Sequence, residues 1–284
     1  MNSLRRADVC RSCARVVLTM ALAAVGLLAL ARHECHAGVP LGPLAACVVG
    51  QTGDGTIKGR LVWGGDVAPE PKNLVEKGQA QKDPAFCAAA AAIPDHSLVV
   101  DPKTKGIRYA FVYLVKPNGE NPDAVKALVG KKASVVIDNK NCEFVPFVTA
   151  IHQDQKVEFT SSDPVNHSVH GSPFTNPGFN TILPPNGTMT MTFVAEKRVI
   201  PLTCDIHPWM KGYLMVFDHP FFAVTDADGS FEISGVPAGN QNLVIWQAAV
   251  GFVNQGLARG TPVTVTEGKA TDLGDVKLDP AKVK

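Results

Sequence analysis

Short runs in which apolar and polar residues alternate recur along most of the chain, separated by clusters of Gly, Pro, Asn and Asp. A period of two with such punctuation predicts β-strands. Thr56 to Trp63 alternates and stops at Gly64-Gly65-Asp66, and Ile107 to Val115 runs to Pro117-Asn118-Gly119. Short strands are then predicted at Ser134–Ile137, Cys142–Val145, Val148–His152, Val157–Thr160, Thr188–Val194, Val199–Thr203 and Tyr213–Phe217. Pro184-Pro185-Asn186-Gly187 makes a turn before Met189, Met191 and Phe193, which share one face and read as core filling. Beyond His219-Pro220 the pattern is strand, turn, strand, turn, strand through Trp246, with further strands at Pro262–Thr266 and Asp272–Leu278. Within it, Asp226-Ala227-Asp228-Gly229 has the look of a calcium loop but lacks the Glu such a loop needs downstream, so it reads as a β-turn.

Two stretches break the alternation. Ala68 to Pro102 shifts to Pro, Lys and Gln and contains Asp83-Pro84-Ala85-Phe86-Cys87 followed by an Ala run, which predicts a short helix capped by Asp83 with Pro84 at its first position. Residues 120–130 read as a loop or one helical turn. At the start of the chain Arg5, Arg6, Arg11 and Arg15 precede the apolar run Val16 to Ala31, the order of a secretory signal, with a small-residue cleavage site at Cys35-His36-Ala37. The alternative is an uncleaved signal anchor, although the run is short for a membrane span. Loss of residues 1–37 moves the formal charge from +1 to about −2. No Lys/Arg cluster interleaved with aromatics occurs, so nucleic acid is not an expected partner. Neither a nucleophile elbow, a phosphate-binding Gly-rich loop nor a His-Glu-x-x-His motif is present, and the chain is not expected to be an enzyme.

Chemistry concentrates in Thr203-Cys204-Asp205-Ile206-His207-Pro208-Trp209-Met210-Lys211-Gly212-Tyr213. Cys-x-x-His-x-x-Met offers an anionic soft sulfur, a borderline nitrogen and a neutral soft sulfur, the mixture a mononuclear electron-transfer copper site uses when a second His joins it. Upstream, the strand pattern Val157–Thr160 and the turn Ser161–Asn166 lead to His167-Ser168-Val169-His170. A lone Cys is usually a buried apolar residue, but a Cys, a His and a Met at this spacing, flanked by strands, weigh against that reading. His167 and His170 are three apart and face opposite sides of a strand, so His170 is assigned to packing or the surface. His96, His152 and His219 have no ligand-like neighbours.

On these residues Phe147 to Asp218 resembles a cupredoxin of the amicyanin type. The resemblance implies His167, Cys204, His207 and Met210 as ligands of one type 1 copper ion. Met215, inside a strand, falls to packing. The family often carries Asn after the first ligand His, where it ties the two ligand loops together; this chain has Ser168 there. The flanking segments resemble the two halves of a carboxypeptidase regulatory-like, transthyretin-like sandwich, and the combination resembles exported bacterial proteins of the methylamine-utilisation type. The implied fold is all-β: a Greek-key cupredoxin sandwich and a second prealbumin-like sandwich, with a short helix in the N-terminal excursion. The divisions are a signal peptide at 1–37, the first part of the outer sandwich at 54–130, the cupredoxin at 131–218 and the second part at 219–280. Neither flanking segment alone has enough strands for a two-sheet core, so the two are expected to form one sandwich.

The function so implied is single-electron transport by a periplasmic or otherwise extracytoplasmic blue-copper protein between redox partner proteins. Its alternative is a copper carrier or sensor without an electron-transfer role. Of the cysteines beyond the signal, Cys204 is then the ligand, and Cys87 and Cys142 can pair as a disulfide in an oxidising compartment, leaving Cys47 odd. The other pairings use Cys47. Leu44-Ala45-Ala46-Cys47 resembles a lipoprotein box, so membrane association through lipidation of Cys47 is a minority alternative beside the signal anchor.

Overall fold

The computed structural model describes residues 54–283. The export signal, its anchor alternative and Cys47 lie outside them. Within this range the chain is all-β, two sandwiches whose strands interleave along the sequence.

The first sandwich is built from both ends of the described chain. Asp54–Trp63 lies between Ser230–Pro237, antiparallel to it, and Ala270–Leu278, parallel to it. The facing sheet runs Phe222–Val224, Ala110–Leu114, Gly239–Gln247 and Gly251–Phe252, with Thr261–Val265 also paired to Gly239–Gln247. Residues before and after the central segment therefore share both sheets, and Ile57, Leu61, Phe221, Phe231, Val236 and Leu278 fill the space between. Gly229 sits at φ +81 in the turn Asp226–Gly229, closed by the Gly229 N–H donating to Asp226 C=O at 3.0 Å, which makes this stretch a turn between strands.

The second sandwich takes the central segment. One sheet runs Thr188–Met191, Lys156–Ser161, Ser134–Lys140, Glu143–Val145; the other runs Phe179–Leu183, His167–Gly171, Ile200–Thr203, Lys211–Phe217, Val148–His152. Phe179–Leu183 is a strand that alternation alone does not mark, because Ile182 points outward and is largely exposed. It pairs with His167–Gly171 and fixes that strand's edge.

Strands buried on both faces join the two sandwiches. Ala110, Val112 and Leu114 enter the first core, while Phe111 and Tyr113 turn to a middle layer. Leu214 and Val216 enter the second core, while Met215 and Phe217 meet the same middle layer from the other side. A period of two thus divides each apolar run between two environments, which is why both read as continuous hydrophobic stretches.

The Ala-rich stretch after Asp83 is a series of turns; Cys87 N–H reaches Asp83 C=O at 2.8 Å, but Asp83 and Ala88 have positive φ and no helix propagates. The one α-helix among the described residues is Pro122–Lys131, with Asn121 as its cap, accepting from the Ala124 N–H at 2.8 Å, and Pro122 at its first position. No helix of the described residues is long and apolar enough to cross a membrane. Cys87 and Cys142 are joined, with Cα atoms 5.6 Å apart. The excursion that carries Cys87 does not stay with the first sandwich: Val75, Ala80, Cys87, Ala88 and Ile93 pack in the second core, beside Cys204 and Met210.

Candidate metal centre

The loop 204–210 is the connection of a β-hairpin. Ile200–Thr203 and Lys211–Phe217 pair antiparallel with Thr203 opposite Lys211, so both ends of the loop are fixed. Inside it the His207 N–H donates to Cys204 Sγ at 3.4 Å, and the Met210 N–H donates to His207 C=O at 2.9 Å. Pro208 occupies the second position of that last turn, where its fixed φ suits the geometry. The result points Cys204, His207 and Met210 inward; they are 3%, 0% and 1% exposed.

His167 arrives from the neighbouring strand, whose His170 pairs with Thr203. One ring nitrogen of His167, one of His207 and Cys204 Sγ all lie within 4.8 Å of one another, with Cys204 Sγ 3.7 Å from His207 Nδ1. An ion about 2.0–2.3 Å from each of three such donors holds a nitrogen and a sulfur about 3.7 Å apart in a trigonal plane. Ser168 ties the two loops together: its N–H donates to Cys204 Sγ at 3.3 Å, and its Oγ accepts from the Asp205 N–H at 2.7 Å.

Each histidine is held through its other nitrogen. His167 Nε2 lies 2.9 Å from Asp163 Oδ2, and Asp163 also accepts from the N–H groups of Asn141 and Cys142. His207 Nε2 lies 2.9 Å from Asp83 Oδ2. Both rings are thereby oriented with Nδ1 toward Cys204. His167 Nδ1 is buried and has no hydrogen-bond partner. A buried imidazole nitrogen without a partner is costly, and it is the atom a metal ion would occupy.

Burial by itself would raise the Cys204 thiol, but the adjacent His167 and His207 rings and the Ser168 and His207 N–H groups more than offset it and hold the thiol down to about 5. Burial likewise opposes charge on His167, and its hydrogen bond to Asp163 with the neighbouring Cys204 overrides that and raises it to about 9. Asp163 is held below its ordinary value, its own burial outweighed by the same His167 contact and the two N–H donors. In the metal-free chain at neutral pH Cys204 is therefore a thiolate beside a protonated His167; a bound ion would displace that proton, and a thiolate with two imidazoles then fits a soft or borderline transition ion.

Met210 packs in the core that contains Cys204, and Met215 in the middle layer between the sandwiches. His170 faces away, half exposed, with Nδ1 2.9 Å from Asp205 Oδ1. His96 pairs with Glu143 at 2.9 Å, and His219 is bonded to backbone groups. Sequence reasoning missed both carboxylates. Asp163 had a signal in the turn four residues before His167; Asp83 had none nearby, since 124 residues separate it from His207.

No family model and no curated protein matches this sequence. Among solved structures, the copper-containing nitrite reductase NirK from Thermus scotoductus SA-01 is similar over 30% of this chain and 22% of its own, with 25% identity and a TM-score of 0.27. The chain thus spans about a fifth of that enzyme's length. A reduced mutant of amicyanin is similar over 30% of this chain and 83% of its own, with 17% identity and a TM-score of 0.28. A purple cupredoxin from Nitrosopumilus maritimus is similar over 30% of this chain and all of its own, with 24% identity and a TM-score of 0.26. In each case the likeness covers under a third of this chain.

Proposed function

We propose that the protein is an exported electron carrier that holds one type 1 copper ion between His167 Nδ1, His207 Nδ1 and Cys204 Sγ, with Met210 as a weak axial donor. The observation that carries this reading is the convergence of a buried Cys204 Sγ with one ring nitrogen each of the buried His167 and His207, all within 4.8 Å of one another. Bound there, copper supplies a one-electron couple between its cupric and cuprous states. The chain's part is to keep the donors fixed: the hairpin sets Cys204, His207 and Met210, Asp163 and Asp83 orient the rings, and Ser168 locks the thiolate. A site fixed this firmly suits a couple that must change charge without rearranging.

Burial also favours electron transfer over copper delivery. A carrier that hands over its ion needs a ligand within reach of the acceptor, and His167, Cys204, His207 and Met210 are all enclosed. We read the chain as a carrier rather than an enzyme, because a thiolate, two imidazoles and a thioether are the donor mixture of a mononuclear electron-transfer copper site. We read the outer sandwich as transthyretin-like and the setting as extracytoplasmic, consistent with the Cys87–Cys142 disulfide. Its partner would be another redox protein.

The test is a spectrum of the copper-loaded chain. An intense visible thiolate-to-copper band that bleaches reversibly on reduction, with a narrow copper hyperfine splitting in electron paramagnetic resonance, is the expected result. Colourless, weakly held copper would overturn the reading.

A further inference from the structure

A metal-ligating histidine in a hairpin loop has one ring edge facing outward, and here that edge is covered by chain from the other sandwich. The segment between Trp63 and Ile107 leaves the first sandwich, crosses to the second and returns. Three independent contacts hold it there. Cys87 is bonded to Cys142; Val75, Ala80, Cys87, Ala88 and Ile93 bury their side chains in the core that holds Cys204; and Asp83 Oδ2 meets His207 Nε2 at 2.9 Å. The segment is folded tightly around this point, with the Gly78 N–H donating to Ala88 C=O at 2.8 Å. Asp83 itself sits at φ +48, a conformation that a residue with a side chain adopts at a cost and that clusters at functional positions. His207 ends fully buried, whereas the Asp83 side chain above it is 42% exposed.

We propose that Asp83 is a positioning residue for the copper centre, carried on a disulfide-anchored cover that the outer sandwich extends over the site. Its carboxylate accepts the Nε2–H of His207 and so leaves Nδ1 free to face Cys204, and its negative charge favours the more highly charged state of the ion. The cover keeps solvent and small reagents from the His207 and Cys204 edge. This inference rests on the copper reading above for its first part; the second part stands without it. Carboxylate partners of metal-bound histidines typically carry 10–100-fold of metal affinity, so the role is measurable.

The experiment uses the full chain with Asp83→Ala, Asp83→Asn and Asp83→Glu, and Asp123→Asn as a charge control on the exposed helix. In the copper-loaded protein Asp83→Ala is expected to lose about 10–100-fold in copper affinity, to raise the reduction potential, and to change the coupling of the remote His207 nitrogen seen by pulsed electron paramagnetic resonance. Asp83→Asn, which keeps an acceptor and loses the charge, should retain most of the affinity and still raise the potential. Asp83→Glu should restore part of each, and Asp123→Asn should move none. Unchanged potential, affinity and nitrogen coupling in Asp83→Ala would overturn the positioning role. In metal-free protein the rate at which a thiol reagent labels Cys204 reads the cover directly. Faster labelling in Asp83→Ala and in a Cys87→Ser, Cys142→Ser double variant is expected, and rates equal to the parent's would overturn the cover. If the parent chain gives no type 1 spectrum, the copper reading fails while the labelling rates still decide whether the cover exists.

Discussion

Both sandwiches bury polar side chains, and only the inner one adds to them a cluster of ionisable groups that contact one another. In the outer one Thr225, Gln241 and Gln247 are consumed by the backbone: the Ala110 N–H donates to Thr225 Oγ1, the Asn118 N–H to Gln241 Oε1 and the Ala249 N–H to Gln247 Oε1. These are neutral groups that stitch strands to the loops beside them. The inner one holds groups bound to main chain too, Gln155 accepting from the His152 N–H and Glu196 from the Thr175 and Asn176 N–H groups, and adds a buried ionisable cluster, Asp163, His167, Cys204 and His207, whose members also contact one another. Buried polarity that main chain satisfies is structural; ionisable groups buried against one another mark a candidate site.

The sharpest break of this comparison exchanges one side chain on each side. Cys204→Ser should abolish the intense visible band of the copper-loaded chain altogether, because a serine hydroxyl supplies no thiolate charge transfer. Gln241→Leu should leave the band untouched but cost about 1–3 kcal/mol in urea unfolding, since the N–H of Asn118 and C=O of Pro237 lose their partner. A Gln241 variant that altered the band would remove the distinction.

The middle layer decides whether the two sandwiches are energetically separate. Phe111 is fully buried there, its ring centroid 5.7 Å from that of Trp246. Phe111→Ala is expected to cost about 3–5 kcal/mol and to lower a single calorimetric transition. Two resolved transitions, with only one displaced, would show that the outer sandwich melts alone.

Legibility in the sequence followed the range of the interaction. The strands at Ser134, Val148, Lys156 and Lys211 announced themselves because period-two burial is written into consecutive residues, and Met210 could be preferred to Met215 because one lies in a turn and the other in a strand. The disulfide followed from compartment and cysteine count. What failed depended on distant chain. The Ala run after Asp83 has helical propensity, yet its bond to Cys142 and its packing on the inner core hold it as turns. Asp83 has the look of a helix cap, and only a fold that carries it across 124 residues shows its carboxylate at His207.

His219 sharpens the contrast through pH. It lies where the chain passes from the inner sandwich to the outer, its ring stacked on Phe221, with Nε2–H donating to Leu114 C=O at 3.1 Å and Nδ1 accepting from the Phe221 N–H at 3.1 Å. Burial pushes it down to about 4, and a proton on Nδ1 would break the second of those bonds. The unfolded chain then takes up the proton below about 6.5 and the folded chain only near 4, so stability falls as pH drops through this interval. Between about pH 7 and pH 5 the loss should be roughly 2 kcal/mol, measured by urea unfolding of metal-free protein, and His219→Gln should flatten that slope. An equal slope in the variant would assign the loss elsewhere.

The smallest effect tests the finest distinction, between two methionines buried five residues apart. Met210 shares its core with Cys204 and is drawn in by the turn that its own N–H closes on His207; Met215 points with Phe217 into the layer between the sandwiches. Replacing either by Leu conserves volume and should cost less than about 1.5 kcal/mol, so stability alone will not separate them. The reduction potential will. A thioether is a weak donor that favours oxidised copper slightly, and without it the plane of two imidazoles and a thiolate remains, so Met210→Leu should still give a coloured protein with a raised potential. Met215→Leu should shift neither colour nor potential, since its side chain belongs to the middle layer and not to the core that holds Cys204. If the potential moved in Met215→Leu and stayed fixed in Met210→Leu, the loop 204–210 would not supply the axial donor, and the donor would have to come from the strand Lys211–Phe217 instead.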